Sequence, residues 1–498
     1  MGEKRKSGSL PALSAPLRRM IVVATIVLFA LAWRYTLFGN PTLHVDDEFY
    51  FLVGQRMHQG DLPYVDLWDR KPFGLFLIYY LIGFFSDQVI SYQIAAWLFV
   101  SATGVAIYAI ARQWTTPLAS LLAALLYVAS LSVFGGQGGQ APIFYNLLIA
   151  IAALMIVRWT RDDSDHADWR VWLAMAMCGL SLTVKQTAIA ESAFFGLFVL
   201  YRLYRNGAGP ARLAAIASIA MVIGMAPFAM TGVFYAASGH WYEFYQAMFL
   251  SNLDKAYPDA EDMARRALLR FIYLLPIGIG IALTFTGRAG LAAKYRVFAE
   301  GWLVAAVVGV ALVPNFYIHY LLPLLLPVAV VAAPAFGIRW IGPAIALASI
   351  SYGTVTAPPF QQKYTDLSKA DFDALLAALP SDPEARVLVF EGPVMVYHYR
   401  NQGDLPVLTM PNHLANEVER DVAHVSTMDV VTEELNKRPS AIVMLTKPRT
   451  LPINAQTWSA IEHFARKNCA LKREIIVTEQ WARWKVLAYT GCIQSGQA

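Results

Sequence analysis

Long apolar runs separated by short polar loops make up the chain as far as about residue 358, where the pattern changes to that of a water-soluble domain. The runs fall at 20–38, 88–111, 116–134, 141–157, 171–184, 188–201, 213–235, 267–287, 298–313, 318–336 and 338–356. A bilayer core needs roughly 20 apolar residues in a helix to cross it. The pattern therefore predicts an α-helical polytopic membrane protein with about eleven spans, and an odd count puts the two termini on opposite sides. The runs 171–184 and 188–201 are the shortest, and Lys185 splits them. Farther on, strand-like runs at 386–390, 441–445, 473–478 and 484–489 alternate with helical stretches at 367–379 and 455–467. That alternation predicts a small α/β domain over 359–498 beside a transmembrane domain over 1–358.

Charge orients the predicted spans. Arg18 and Arg19 precede the first run, and Arg112, Arg158, Arg161, Arg170, Arg202, Arg205, Arg212, Lys294, Arg296 and Arg339 fall in alternate loops. Basic loops face the cytoplasm, so the N-terminus is expected there, with the acidic loop 39–87 and the C-terminal domain on the periplasmic side. The first run lacks a small-residue cleavage site and is expected to stay as a span. With 57% hydrophobic and 15% charged residues, the composition excludes an ordinary soluble protein. The net charge of +5 is accounted for by the loops, so no nucleic-acid partner is expected. Cys178 lies in an apolar run, whereas Cys469 and Cys492 flank two strand-like segments; a bond between them requires an exported tail.

Chemistry concentrates in the loop 39–87. Phe49, Leu52, Val53 and Met57 recur at helical spacing, which predicts an amphipathic helix over 47–59 on the membrane surface, closed by Gly60. Its start is the triplet Asp46, Asp47 and Glu48. These acids either cap the helix through Asp46 and favour its positive end, or include a carboxylate whose pKa is raised enough to take a proton from a hydroxyl. Arg70 and Lys71 stand where the chain re-enters the membrane, either reaching for headgroups or forming a phosphate site. Lys185 interrupts an apolar stretch and invites the same two readings. His44, His58 and the acidic triplet have ligand types suited to a divalent metal without a defined ligand spacing. Neither a phosphate-binding glycine loop nor an HExxH motif is present, which excludes ATP-driven transport and zinc proteolysis.

Asp47-Glu48 with Tyr50, then Gly60, Pro63-Tyr64, Asp66, Trp68-Asp69 and Lys71-Pro72, resembles the first periplasmic loop of GT-C glycosyltransferases. Among these it resembles most the superfamily of protein O-mannosyltransferases and aminoarabinose lipid A transferases. The stretch Gly179 to Lys185-Gln186, the segment 232–257 with Asn252 and Tyr257, and His319-Tyr320 with Pro323 extend the resemblance over some three-quarters of the chain. It implies a bacterial inner-membrane enzyme that moves a hexosyl or pentosyl group from a polyprenyl-phosphate donor, with inversion, to a hydroxyl of a lipid, glycan or protein acceptor. Asp47 would be the general base, with Asp46 as the adjacent alternative. Glu48 would support the base or join Asp47 in holding a divalent metal, the one cofactor suggested. Lys71 would neutralise the departing phosphate, helped by Lys185, Arg265 or Arg266. Tyr50, Tyr64, Asp69, His319 and Tyr320 would line the substrate site. Where many relatives carry a second acid, this chain has Gln140-Ala-Pro-Ile-Phe-Tyr-Asn146, which weakens a two-acid mechanism. A transporter or flippase of the lipid-linked sugar is the alternative, but it would need polar groups near mid-bilayer that the runs largely lack.

Overall fold

The computed structural model describes residues 14–253, 260–272, 274–285, 291–313, 315–356, 360–400, 403–449, 452–479 and 482–492. The expected boundary at 358/359 and Tyr257 lie outside these residues. The membrane part opens with α1 (Ala15–Arg34), α2 (Val45–Met57), α3 (Phe73–Gly83), α4 (Ile90–Ala111) and α5 (Pro117–Val133). It continues with α6 (Ala141–Arg161), α7 (Trp169–Val184), α8 (Ile189–Arg205) and α9 (Pro210–Ala237). Helices α4, α5, α6 and α7 pack side by side, and α1 closes against α4 and α5. Helix α9 is exposed along most of its length despite its apolar sequence, as a lipid-facing helix should be.

Among the described residues, four helices are long and apolar enough to cross a bilayer alone: Ala15–Leu37, Ile90–Ala111, Ala141–Arg161 and Pro210–Ala237. The count of eleven is not reached by these. Prolines explain part of the difference, because a ring without an N–H interrupts the helical ladder. The run 318–336 carries Pro323, Pro327 and Pro334 and forms a 3-10 turn (Ile318–Leu321), a short helix (Leu325–Ala332) and a second 3-10 turn (Ala333–Gly337). Helix α3 falls within the segment read as a loop. Its 11 residues reach only about 16 Å at 1.5 Å per residue, too short to span.

Helix α2 has no exposed polar face of the kind an amphipathic surface helix carries. It is capped by His44, whose ring accepts the Asp46 N–H at 3.2 Å, so Asp46 is not the cap. It is buried on nearly every side, including Glu48, Gln55 and Arg56. The apolar spacing marked one inward face correctly, but the polar face is covered too. One neighbour is α3, so close that a β-carbon on Gly54 would lie 2.7 Å from the Tyr79 backbone. The other is the C-terminal domain.

That domain carries a sheet of four strands in the order β1-β2-β4-β3, where β1 is Val387–Val389, β2 Ala441–Leu445, β3 Cys469–Glu479 and β4 Ala482–Cys492. The first pair is parallel, with Val387 opposite Ala441. Strand β4 runs antiparallel to both neighbours, and Cys469 lies opposite Cys492, to which it is disulfide-bonded. The domain rests on the loop at two points: the Thr42 hydroxyl donates to the Thr478 carbonyl of β3 at 2.8 Å, and the Trp68 N–H donates to the Val407 carbonyl, outside the sheet, at 2.8 Å. His413 sets its ring 4.7 Å from that of Trp68 and 6.4 Å from that of Phe49.

Candidate active site

The first turn of α2 presents its carboxylates where the positive end of the helix dipole favours them. Successive residues of an α-helix are rotated by about 100°, so three adjacent acids cannot share one environment. They fan out to three separate parts of the chain.

Asp47 turns into the membrane domain. Its Oδ2 accepts the Gly139 N–H at 2.7 Å, and Arg34 acts on it as the nearby cation. Arg34 is held by the same turn, donating to the carbonyls of Gly136 at 2.8 Å and Gly138 at 2.7 Å. Burial, reinforced by the charge of Asp46, pushes the Asp47 carboxyl well above the usual range despite the Gly139 N–H and Arg34. The loop motif found Asp47, but neither Arg34 nor the turn's role in holding it was read. The signal available was the run Gly135-Gly136-Gln137-Gly138-Gly139.

Asp46 turns toward a polar centre. Its Oδ2 is 3.9 Å from His319 Nε2 and accepts from Gln140 Nε2 at 3.4 Å. Burial works to raise its carboxyl, but His44, Lys71 and His319 together with the Gln140 bond outweigh it and hold the group below the usual range. The His44 Nδ1 accepts both the Asp46 N–H and, at 2.8 Å, the Gln140 amide. Both contacts need an unprotonated nitrogen, in keeping with burial, which holds the His44 pKa down.

Glu48 turns toward the C-terminal domain. Burial, reinforced by the charges of Glu479 and Asp47, pushes its carboxyl well above the usual range despite Arg449 and the His44 backbone N–H. Asp47 and Glu48 thus point into different surroundings, and no group of three or more His, Cys, Asp or Glu side chains suited to a metal occurs among the described residues. The pair does not fit a shared divalent ion.

Lys71 and Lys185 meet at one cavity of about 550 Å³. Its polar lining includes Arg70, Lys71, Lys185, Gln186, Asn252 and Tyr320, and its apolar wall includes Leu182, Met225, Phe228, Met248, Phe249 and Leu312. The Lys185 ammonium lies 4.8 Å from the centre of the Tyr320 ring, and that of Lys71 lies 5.5 Å from the Tyr50 ring. Tyr64 and Asp69 hold Lys71 rather than line the cavity: the Tyr64 hydroxyl donates to the Lys71 carbonyl at 2.8 Å, and Asp69 Oδ1 accepts the Lys71 N–H at 3.1 Å. Arg70 pairs with Glu419 of the C-terminal domain.

Arg265 and Arg266 both pair with Asp262, at 2.5 and 2.6 Å, and neither is among the described residues lining the cavity. Arg266 does act on Tyr317, whose ring stacks on that of His319 at 5.9 Å. Beside the cavity, residues Gln246–Leu250 form a π-helical turn, a local irregularity that recurs at functional sites. Its Gln246 accepts from the Trp68 indole at 3.0 Å and donates to the Val422 carbonyl.

The chain superimposes on the crystal structure of ArnT from Cupriavidus metallidurans bound to undecaprenyl phosphate with a TM-score of 0.61. The match covers 97% of this chain and 100% of that one at 15% identity, and the apo state of the same protein gives equal values. The apo oligosaccharyltransferase of Archaeoglobus fulgidus gives a TM-score of 0.49 at 12% identity, over 86% of this chain and 69% of that one. No family model matches the chain, and no curated protein matches its sequence. The fold is that of the GT-C glycosyltransferases, a membrane fold.

Proposed function

We propose that the chain is an inverting glycosyltransferase that moves a sugar from a polyprenyl-phosphate donor to a hydroxyl acceptor. The observation that carries this reading is the single cavity joining two lysines, an apolar wall and an adjacent ionised carboxylate. A lipid phosphate matches that lining: its phosphate meets Lys71 and Lys185, and its first isoprene units lie along Met225, Phe228 and Phe249. The undecaprenyl phosphate bound by the structurally similar ArnT is a ligand of this kind.

In the reaction, the acceptor oxygen attacks the anomeric carbon on the face opposite the phosphate. The new carbon–oxygen bond forms as the bond to phosphate breaks, and the departing electron pair stays on the lipid phosphate. Fixed cations in a poorly hydrated site stabilise the charge that grows there. The acceptor proton passes to a carboxylate. Of the two aspartates, Asp46 is better placed, because it faces Lys71 and the polar centre while Asp47 is fully buried against Gly139. A carboxylate with a lowered pKa is a weak base in the free enzyme. Binding of the anionic phosphate offsets the charge of Lys71 and thereby raises the basicity of Asp46 when the substrate is in place. Asp47, fixed between Arg34 and the glycine turn, keeps this end of α2 in position.

The work is assigned to the periplasmic face of an inner membrane. The disulfide of the C-terminal domain belongs in an oxidising compartment, and the basic loops lie on the other side. The test is release of free polyprenyl phosphate from a panel of polyprenyl-phosphate sugars by the full chain in lipid, with a membrane extract as acceptor. Wild type should release it, and Asp46→Asn and Lys71→Ala should not. Donors that bind or cross the bilayer without breakdown would replace the enzyme with a transporter.

A further inference from the structure

The side chain of Gln140 has no part in the helix it opens. It stands at the N-cap of α6, where Ser, Thr, Asp or Asn is the usual residue because its side chain bonds the first free amides. Yet Gln140 makes no such bond and is almost fully buried. Its backbone is fixed from both sides: Gly139 before it donates to Asp47, and its own carbonyl accepts the Ile143 N–H at 2.8 Å. From there the amide reaches α2, with Nε2 2.8 Å from His44 Nδ1 and 3.4 Å from Asp46 Oδ2. His44 Nδ1 already accepts the Asp46 N–H, and an ionised carboxylate can only accept. Both neighbours therefore need a donor, which an amide supplies and a carboxylate of the same size does not. The His44 ring in turn lies 5.6 Å from that of His319, whose Nε2 is 3.9 Å from the same Asp46 oxygen. One amide thus holds both the cap of α2 and the carboxylate two residues beyond it.

We propose that Gln140 is a positioning residue for the transfer reaction: its amide locks His44 and Asp46 in one arrangement and so fixes the direction from which the Asp46 carboxylate meets the acceptor hydroxyl. This rests on the transferase reading. The amide acts through Asp46 and not on the donor, since Gln140 is not among the described residues that line the lipid-phosphate cavity. The charged and titratable groups facing Asp46 are His44 and Asp47 from the start of α2, Lys71 from the re-entry loop, Lys185 from the break between α7 and α8, and His319. Removing the amide leaves all of these in place and takes away a donor that favours the ionised carboxylate. A glutamate in its place adds a negative charge beside that carboxylate.

The test compares Gln140→Met and Gln140→Glu with wild type in the full chain in lipid. The kcat, the donor KM and the acid limb of polyprenyl phosphate release are read beside amide hydrogen exchange over residues 45–51. Gln140→Met should lower kcat about tenfold, with the donor KM within about twofold of wild type, and speed exchange at the start of α2 about threefold or more. It should also move the acid limb of kcat/KM to higher pH, and Gln140→Glu should move that limb farther in the same direction. An unmoved limb, an unchanged kcat, wild-type exchange or a loss confined to the donor KM would overturn the proposal. If Gln140→Met does not fold, Gln140→Glu, which keeps the size of the side chain, decides on the same readouts. Exchange needs no turnover, so variants that loosen the turn while wild type transfers no sugar would overturn the transferase reading, and the proposal with it, while leaving the grip of Gln140 on α2 intact.

Discussion

The backbone N–H of Gly139 donates to Oδ2 of Asp47 at 2.7 Å, across 92 residues of sequence. A β-carbon on Gly138 would sit 1.7 Å from that same oxygen, and one on Gly139 would sit 2.2 Å from the Tyr79 hydroxyl. The glycines let the turn close directly onto the carboxylate. Gly138→Ala should therefore cost about 1–3 kcal/mol of stability, as overpacking does, and lower transfer by displacing the start of α2. Gly209→Ala, where a β-carbon meets nothing within 4 Å, should be near neutral. Thermal unfolding and donor turnover of the two variants check this, and equal behaviour would refute the packing argument.

The two aspartates predict opposite pH behaviour. The Asp46 carboxyl sits below its ordinary value, against the pull of burial, because of His44, Lys71 and His319. Its ionised form thus stabilises the folded protein at every pH above the unfolded value of about 3.9, and that contribution is lost only as pH falls through the lowered folded value. For Asp47, raised by burial, the sign reverses: folding favours its neutral form, and ionising it costs stability as pH rises through the raised value. If Asp46 takes the proton, the acid limb of kcat/KM for donor lies below pH about 4. An acid limb well above the ordinary carboxylate range would point to Asp47 instead. Lys71→Met, which removes one of the cations, should move an Asp46 limb to higher pH.

Lys71 and Lys185 should contribute separately to donor affinity, since they reach the cavity from different segments, the loop before α3 and the break between α7 and α8, and rest on different rings. Replacing either with Ala should weaken binding of undecaprenyl phosphate by about 10–100-fold, the worth of a charged hydrogen bond. Replacing exposed Arg265 should change it little, because its partner is Asp262. Titration of the lipid in detergent or nanodiscs reads all three.

The Cys469–Cys492 bond closes a hairpin with a sequence separation of 23. A loop of that size corresponds to about 3 kcal/mol in the chain-entropy account. Cys469→Ser with Cys492→Ser should lower the resistance of the C-terminal domain to proteolysis while leaving lipid binding in the membrane domain intact. Unaltered proteolysis would mean that the β3–β4 pairing holds the hairpin by itself.

Much of this arrangement was legible in the sequence where the signal is local. The strand-like run at 441–445 is β2 with the same bounds, and Lys185 sits at the break between α7 and α8. The loop pattern singled out Lys71 and the acidic triplet, and a charged residue interrupting an apolar stretch is conspicuous without any structure. What was not legible depends on distant segments. Arg34 and Gly138 are 104 residues apart, and no spacing rule links them. The direction each acid takes follows from the partner packed against each side of α2, which a periodic pattern does not name. Helix α3 escaped notice because 11 apolar residues fall below spanning length. The polar face of α2 looked like a surface only because the domain that covers it lies far away in sequence.

The division of the acidic triplet also bears on how such a protein can be recombined. Its three acids are set by different parts of the chain: Asp47 by the turn that ends at Gly139, Asp46 by Gln140, His319 and the re-entry loop, and Glu48 by burial toward the C-terminal domain. A chimaera that takes its C-terminal domain from another protein would put a buried Glu48 into new surroundings, and one that exchanges α1 would take from the glycine turn the Arg34 that donates to the Gly136 and Gly138 carbonyls. The two domains are therefore not interchangeable parts: a workable graft keeps Arg34 together with the turn 136–139, and either retains the surface that buries Glu48 or replaces Glu48 with a neutral side chain in the same step.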